Sequence, residues 1–84
     1  MFKNKKILIT GGTGSLGQAL TKRLLAMDVD TIRIFSRNEN NQIKMESKFN
    51  DKRLRFFIGD IRDPERLNRA FEDIDFVFHA AALK

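Results

Sequence analysis

Hydrophobic and polar positions along the chain follow two alternating periodicities. Four short apolar segments are typical of buried strands, and they cover Lys6–Thr10, Thr31–Ser36, Arg53–Gly59 and Asp75–His79. Between them lie three segments in which apolar residues recur every three or four positions, as on one face of a helix. The pattern therefore predicts that strands and helices alternate, beginning and ending with a strand.

The first predicted helix, 15–27, is the most clearly marked. Ser15 and Gln18 have the spacing of a capping box, which would fix its start. The second helix, about 39–49, has only a ragged apolar stripe, whereas the third has Asp63 as a predicted N-cap and Pro64 as its first residue. On these three helices we expect the buried side chains to be Leu16, Leu20, Leu24 and Met27, then Ile43, Met45 and Phe49, then Leu67, Ala70 and Phe71.

This alternation predicts an α/β fold, a Rossmann-type parallel sheet with helices on both faces and strand order 3-2-1-4. Residues 1–84 would form one partial domain, half of such a fold plus one strand, in the order βαβαβαβ. The last strand is apolar on successive residues, as in strands that are covered on both faces. If the chain ended at Lys84, this strand would be an unprotected sheet edge. We therefore expect a longer protein, or self-association through the fourth strand.

Composition narrows the class of protein. The chain has no cysteine, no apolar run near the ~20 residues that span a bilayer, and no signal-peptide core at its N-terminus. We expect a cytoplasmic protein with no membrane partner. The formal charge of +5 comes from 16 basic residues scattered among 11 acidic ones, which is typical of a solvated surface. We therefore expect no nucleic-acid partner.

Glycines follow the first predicted strand at once and lead into the first predicted helix. This context favours a dinucleotide site, because a helix N-terminus attracts a pyrophosphate and residues without a Cβ let the backbone approach it. The phosphate loop of ATPases would need Lys and then Ser or Thr after Gly17, but the chain has Gln18 and Ala19, which excludes that alternative. The candidate cofactor-binding residues here are Gly11, Gly12, Thr13, Gly14, Ser15, Leu16 and Gly17.

The end of the second predicted strand indicates which dinucleotide would bind. An NAD site places Asp or Glu there, whereas this chain has Ser36, Arg37 and Asn38. A guanidinium pairs with a 2′-phosphate that a carboxylate would repel, so we expect NADP, unless Arg37 is only an exposed loop residue. After the third strand, Asp60 is either an acceptor for the adenine amino group or a turn carboxylate.

The fourth predicted strand ends in His79, which is followed by alanines. A lone histidine in such a run is more often a core residue than a catalyst. The small side chains of Ala80–Ala82 would allow the middle of a cofactor to pass closely, although three alanines alone indicate little.

Several motifs together resemble those of the extended short-chain dehydrogenases. More closely, the chain resembles the polysaccharide-biosynthesis group of inverting UDP-N-acetylglucosamine 4,6-dehydratases of the pseudaminic-acid pathway and the related CapD-type epimerases. The motifs are Thr10-Gly-Gly-Thr-Gly-Ser-Leu-Gly17, Phe35-Ser-Arg37, Phe49-Asn-Asp51, Arg55-Phe-Phe-Ile-Gly-Asp60, Arg62-Asp63, Glu65-Arg-Leu67 and His79-Ala-Ala-Ala-Leu-Lys84.

The resemblance implies NADP(H) as cofactor and a UDP-sugar as substrate. Beyond the glycine turn, it implies that cofactor contacts come from Ser36, Arg37, Asn38, Glu39, Asn40, Asn41, Asp60, Ile61, Ala80, Ala81 and Lys84. Lys84 would also lie near the UDP-sugar. No metal site and no catalytic residue are expected within the 84 residues.

The implied reaction is abstraction of hydride from C4 of the sugar, followed by loss of water from C6 or by re-reduction. Members of this group continue well beyond Lys84 through a Tyr-x-x-x-Lys centre and a sugar-nucleotide domain, whereas this chain has no tyrosine. We therefore expect these residues alone to be inactive. The alternative is a stand-alone, non-catalytic dinucleotide-binding module.

Overall fold

A computed structural model describes residues 2–80, which form a four-stranded parallel sheet with helices on both faces. The strand order across the sheet is 3-2-1-4, so the predicted Rossmann-type topology is confirmed. In chain order the elements are β1 (Lys6–Thr10), α1 (Ser15–Leu25), β2 (Thr31–Ser36), α2 (Glu39–Phe49), β3 (Leu54–Ile58), α3 (Pro64–Phe71) and β4 (Phe76–His79).

The central strand, β1, explains why both faces of the sheet are covered. Residues Ile7–Ile9 are completely buried, and successive side chains of a strand point to opposite faces. One apolar cluster joins the first and third of these side chains to Leu24 of α1 and Met45 of α2. A second cluster joins Leu8 to Ala70 of α3. Consequently α1 and α2 cover one face of the sheet, and α3 covers the other.

The start of α1 differs from the prediction. Its N-cap is Gly14, which has no side chain to cap with, so the predicted capping box is wrong. Ser15 is already the first helical residue, and Gln18 instead donates from Nε2 to the carbonyl of Thr13 at 2.9 Å. At α3 the prediction is confirmed, because the side chain of Asp63 accepts from the backbone N–H of Arg66 and the helix begins with proline.

Four side chains that we expected to be buried are exposed instead, namely Leu16, Met27, Ile43 and Phe71. Three of them lie at or beyond the ends of their helices. Ile43 lies within α2 but is 56% exposed, because the helix turns Gln42 and Met45 toward the sheet. The residue of this turn that faces the core is therefore Gln42, and not Ile43 as expected.

The fourth strand lies at an edge of the sheet in the part of the chain described, and it pairs with β1 alone there. Its Phe76 and Val77 are 39% and 38% exposed, so the expected burial on both faces is not found within residues 2–80. Phe78 packs against the larger core cluster. The ring of Phe2 packs in T-shaped arrangements against Phe76 and Phe78, with centroids 5.0 and 6.0 Å apart, which covers part of this strand.

Gly17 of α1 lies directly against the backbone of Gly12 in the turn after β1. A Cβ built at Gly17 would overlap the Cα, the carbonyl carbon and the carbonyl oxygen of Gly12. By contrast, a Cβ at Gly14 would meet nothing closer than the carbonyl oxygen of Gly11, at 3.6 Å. Gly17 is therefore required for packing, whereas Gly14 leaves open space above the turn.

We expect Gly17→Ala to lower the free energy of unfolding by about 1–3 kcal/mol, because overpacking against backbone outweighs the gain in helix propensity. Gly14→Ala is the matched control and should cost less than about 1 kcal/mol, the scale of a changed N-cap. Thermal and urea unfolding of the two variants, monitored by circular dichroism, measure the difference. Equal destabilisation by the two substitutions would show that the backbone contact does not limit packing.

Candidate functional site

A cleft of about 790 Å³ opens where β1, β2 and β3 end and α1 begins. This is the position at which parallel α/β sheets bind ligands. The cleft brings together most of the residues that the sequence singled out. Its lining comprises Gly11, Thr13, Gly14, Ser15, Leu16, Gly17, Phe35, Ser36, Arg37, Asn38, Asn41, Gly59, Asp60, Ile61, Arg62 and Ala80.

Some predicted site residues do not line this cleft. Gly12 is buried and does not line the cleft. A Cβ at this position would lie 2.7 Å from Cγ2 of Ile34. Glu39 and Asn40 are exposed in the first turn of α2 and are absent from the lining. Ala81 and Lys84, together with the rest of 81–84, lie outside the described residues.

The glycine turn forms one wall of the cleft. Gly11 has a φ of 65°, a left-handed conformation that favours glycine, and its N–H donates to the carbonyl of Phe35 at 2.8 Å. This bond ties the turn to β2. The side of Gly14 that a Cβ would fill is open toward the cleft, so the turn has the cradle that close approach of a phosphate requires.

Two successive side-chain hydrogen bonds, here called the Lys48–Gln18 relay, support the same turn. Nζ of Lys48 donates to Oε1 of Gln18 at 2.9 Å, and Nε2 of Gln18 donates to the carbonyl of Thr13. Gln18 occupies the position where an ATPase phosphate loop would have its lysine. Here that residue is engaged with the backbone of the turn, in agreement with the exclusion of the ATPase alternative.

The second wall follows β2 and is fixed by a residue that sequence reasoning missed. Gln42 of α2 is buried, and its Nε2 donates to Oγ of Ser36 at 2.9 Å and to the carbonyl of Phe57 at 3.1 Å. The side chain of Asn38 accepts from the N–H of Asn41 and caps α2. The signal was available, because Gln42 lies three residues before the buried Met45 on the same helical face.

Three charged side chains gather where β2 and β3 end at the cleft. Asp60 accepts from Arg62 at four contacts, of which the shortest is 2.8 Å between Nη2 and Oδ2. Nη1 of Arg37 lies 3.8 Å from the same oxygen. Hydrogen bonds from the side chain and then the backbone of Arg62 lower the pKa of Asp60 to about 2, so this carboxylate is charged at neutral pH.

These contacts bear on the alternatives for Asp60. Its two oxygens already accept from Arg62, which supports the role of a turn carboxylate; contact with an adenine amino group stays a prediction. Arg62 itself was not among the predicted site residues. The signal that could have found it is its position two residues after Asp60, the spacing at which an aspartate accepts from a following backbone N–H.

His79 is exposed and is not a core residue, so that expectation is wrong. Its Nδ1 lies 3.0 Å from Oγ1 of the buried Thr10, at the end of the neighbouring strand. This hydrogen bond satisfies the threonine hydroxyl and links the carboxyl ends of β1 and β4.

The described residues contain neither a metal-binding cluster nor a membrane-spanning helix. Among residues 2–80, no three histidine, aspartate or glutamate side chains are grouped closely enough to hold a metal ion. No helix in that same part of the chain is long and apolar enough to cross a membrane.

Curated relatives match essentially the whole chain. It is 55% identical over 85 residues to a UDP-N-acetylglucosamine 4,6-dehydratase (inverting) of Campylobacter jejuni, covering 100% of this chain and 25% of that protein. It is 48% identical over 88 residues to a UDP-glucose 4-epimerase of Rickettsia bellii, covering 100% and 26%. A Methanocaldococcus jannaschii protein named an uncharacterized membrane protein is 51% identical over 83 residues, covering 99% and 25%. The chain thus spans about a quarter of the length of these relatives.

Solved structures agree with the fold. Pen from Bacillus thuringiensis superimposes with a TM-score of 0.93 at 45% identity, covering 99% of this chain and 27% of that one. WbmF of Bordetella bronchiseptica, solved in complex with NAD⁺, superimposes with a TM-score of 0.72 at 26% identity, covering 93% and 23%.

The family model described as polysaccharide biosynthesis protein matches residues 7–84, a range that includes the glycine turn, the Ser36–Asn38 wall and the Asp60 turn. The chain therefore belongs to the polysaccharide biosynthesis protein family.

Proposed function

We propose that the chain is the NADP(H)-binding segment of a nucleotide-sugar-modifying enzyme. The enzyme would be a UDP-N-acetylglucosamine 4,6-dehydratase or a related UDP-sugar epimerase. The family and the fold support a nicotinamide dinucleotide, and the relatives named above support the substrate class. The preference for NADP over NAD rests on a single observation, the exposed Arg37 at the end of β2.

The charge distribution of the cleft supports that preference. The side chain of Arg37 is 71% exposed and lines the cleft, where it is free to meet a ligand. No carboxylate is present among Ser36, Arg37 and Asn38 to accept from a ribose 2′-OH. The nearby Asp60 is engaged by Arg62, so its charge is partly offset. The three charged side chains together carry one net positive charge, which favours an added phosphate.

Each part of the cleft then has a proposed role. The turn from Gly11 to Gly17 would hold the pyrophosphate, and the lining residues Ser36, Arg37, Asn38 and Asn41 would hold the adenine ribose and its phosphate. Asp60 and Ile61 would lie near the adenine. Ala80 and Ala81 would lie beside the middle of the cofactor, and Lys84 would reach both the cofactor and the UDP-sugar.

When bound, a nicotinamide cofactor supplies reversible hydride transfer, which dehydration through a 4-keto sugar and epimerisation at C4 both need. The described residues contribute binding and orientation. Gln42 fixes Ser36, and the Lys48–Gln18 relay fixes the glycine turn, so both walls are held in place before a ligand arrives. No tyrosine is present in the 84 residues, and we propose that acid–base assistance comes from elsewhere in the enzyme.

We expect the chain to bind NADP⁺ more tightly than NAD⁺, and Arg37→Asp to reverse that order. Loss of a charge-assisted hydrogen bond to phosphate costs about 1.5–3 kcal/mol, or roughly ten- to hundred-fold in Kd. Isothermal titration with the two dinucleotides measures the ratio. Arg23→Asp, at an exposed position of α1 away from the cleft, carries the same charge change and should preserve the order. Equal affinities of the unmodified chain for both dinucleotides would contradict NADP preference.

Self-association through β4 is a separate proposal. The strand exposes Phe76 and Val77, and in the described part of the chain its outer edge pairs with no other strand. Unprotected apolar edges favour pairing with another chain. We expect Val77→Lys to shift the 84-residue chain toward monomer, whereas Ile43→Lys, at an even more exposed apolar position on α2, should not. Size exclusion with light scattering decides this, and a strictly monomeric, folded unmodified chain at high concentration would rule it out.

A further inference from the structure

The turn between β3 and α3 presents a second guanidinium to the cleft. The side chain of Arg62 is 78% exposed and lines the same cleft as Arg37. An exposed arginine ordinarily loses several freely rotating torsions when it binds a ligand, and this loss weakens its contribution. Arg62 differs from such a residue, because the side chain of Asp60 already restrains it.

Asp60 occupies one particular edge of the Arg62 guanidinium. Asp60 accepts from Nε of Arg62 at 3.2 and 3.3 Å and from Nη2 at 2.8 Å, while the backbone N–H of Arg62 donates to Oδ1 at 2.9 Å. The carboxylate therefore lies along the Nε–Nη2 side. A guanidinium has five N–H groups, and this arrangement uses one from each of those two nitrogens. Among residues 2–80 no acceptor binds Nη1, so the end formed by Nη1 and the outer Nη2 hydrogen stays available.

Arg37 lies near the same carboxylate. Its Nη1 lies 3.8 Å from the Oδ2 that accepts from Arg62, too far for a hydrogen bond. Nη2 of Arg62 and Nη1 of Arg37 both lie within 4 Å of this one oxygen. The two guanidinium groups are therefore close enough for a single phosphate group to reach both. The carboxylate offsets the repulsion between the two arginines and holds them together, and it leaves donors of both unused.

From this arrangement we infer that Arg62 is a second phosphate-binding arginine, which acts with Arg37 on the 2′-phosphate of the dinucleotide. The inference rests on the proposed NADP(H) site. A phosphate with three acceptor oxygens matches two guanidinium groups, whereas a ribose hydroxyl does not need them. Asp60 is then a positioning residue for Arg62. Phosphate selectivity is shared between the end of β2 and the end of β3.

The competing role for Arg62 is stacking on the adenine ring, which is common to both dinucleotides. The two roles differ in a measurable way. Stacking raises the affinity for NAD⁺ and NADP⁺ alike, whereas phosphate binding raises the affinity for NADP⁺ alone. The ratio of the two dissociation constants therefore separates them.

The test uses the chain with Arg62→Gln and, as a matched control, Arg69→Gln at an exposed position of α3 outside the cleft. Titration calorimetry with NADP⁺ and NAD⁺ is supplemented by 2′,5′-ADP and 5′-AMP, which differ only by the 2′-phosphate. We expect Arg62→Gln to raise the Kd for NADP⁺ and 2′,5′-ADP about tenfold, the scale of one charge-assisted hydrogen bond at an exposed site. The Kd for NAD⁺ and 5′-AMP should change less than about twofold on the same grounds, and the Arg69 variant should match the unmodified chain.

An equal loss for both dinucleotides, or no loss for either, overturns this role of Arg62. If Arg37→Gln lowers the NADP⁺ preference while Arg62→Gln leaves it unchanged, the inference fails and the proposed function stands. If the unmodified chain shows no preference for NADP⁺, the proposed function itself fails. Should Arg62→Gln not fold, Arg62→Lys keeps the charge but lacks the planar fork. It is also expected to lower the preference, and an unchanged ratio in that variant overturns the inference.

Discussion

The close approach of two backbone segments, at Gly12 and Gly17, is the constraint on which the rest of the cleft depends. Because Gly17 has no side chain, the start of α1 lies directly against the backbone of Gly12 in the turn that leaves β1. This contact places the N-terminus of α1 at the carboxyl edge of the sheet. Gly14 then lines the cleft with open space beside it, at a helix N-terminus whose first N–H groups have no partner within the helix. A Cβ at Gly17 would overlap the backbone of Gly12, and a Cβ at Gly12 would press on the side chain of Ile34 in β2.

The second wall depends on a buried polar group. Gln42 connects α2 to the ends of two strands, through the hydroxyl of Ser36 and the carbonyl of Phe57. Buried amides are costly unless they are hydrogen-bonded, and within residues 2–80 no buried side-chain nitrogen or oxygen is left without a partner. A satisfied glutamine therefore determines how α2 is rotated, and that rotation exposes Ile43. It also fixes the backbone from which Arg37 projects.

Three charged side chains lie on the surface of the cleft that these contacts hold in place. Arg37 and Arg62 come from the ends of β2 and β3, and Asp60 lies between them. Exposed ion pairs contribute little to folding stability, so the arrangement is better understood through the ligand that it would meet. Hydrogen bonds from Arg62 keep the pKa of Asp60 low, and the trio carries the same charge throughout the neutral range. An anionic ligand would encounter a positive site that is already assembled.

How much could be predicted from the sequence differs between elements. The strand and helix order and the Asp63 N-cap followed from local patterns, because buried strands, helix caps and glycine turns are set by residues close together in the chain. The glycine turn was located for the same reason. The parallel 3-2-1-4 sheet followed from the general rules that govern how alternating strands and helices connect. The rotation of α2 about its axis was predicted wrongly, since a hydrophobic stripe of three residues does not reveal that a glutamine finds its partners on two strands. The predicted capping box is also wrong, because Gly14 is the N-cap and Ser15 is already helical.

Only the tertiary structure decided which charged residues meet. The motif containing Asp60 and Arg62 was visible in the sequence, as was Arg37, but these positions are separated by more than 20 residues. Their convergence depends on β2 and β3 lying side by side in register, with Ser36 opposite Ile58. Parallel pairing brings the ends of the two strands to one edge of the sheet, and so it sets the distance between the guanidinium groups. The sequence by itself determined that a dinucleotide-type turn follows β1; strand pairing determined which side chains share the cleft with it.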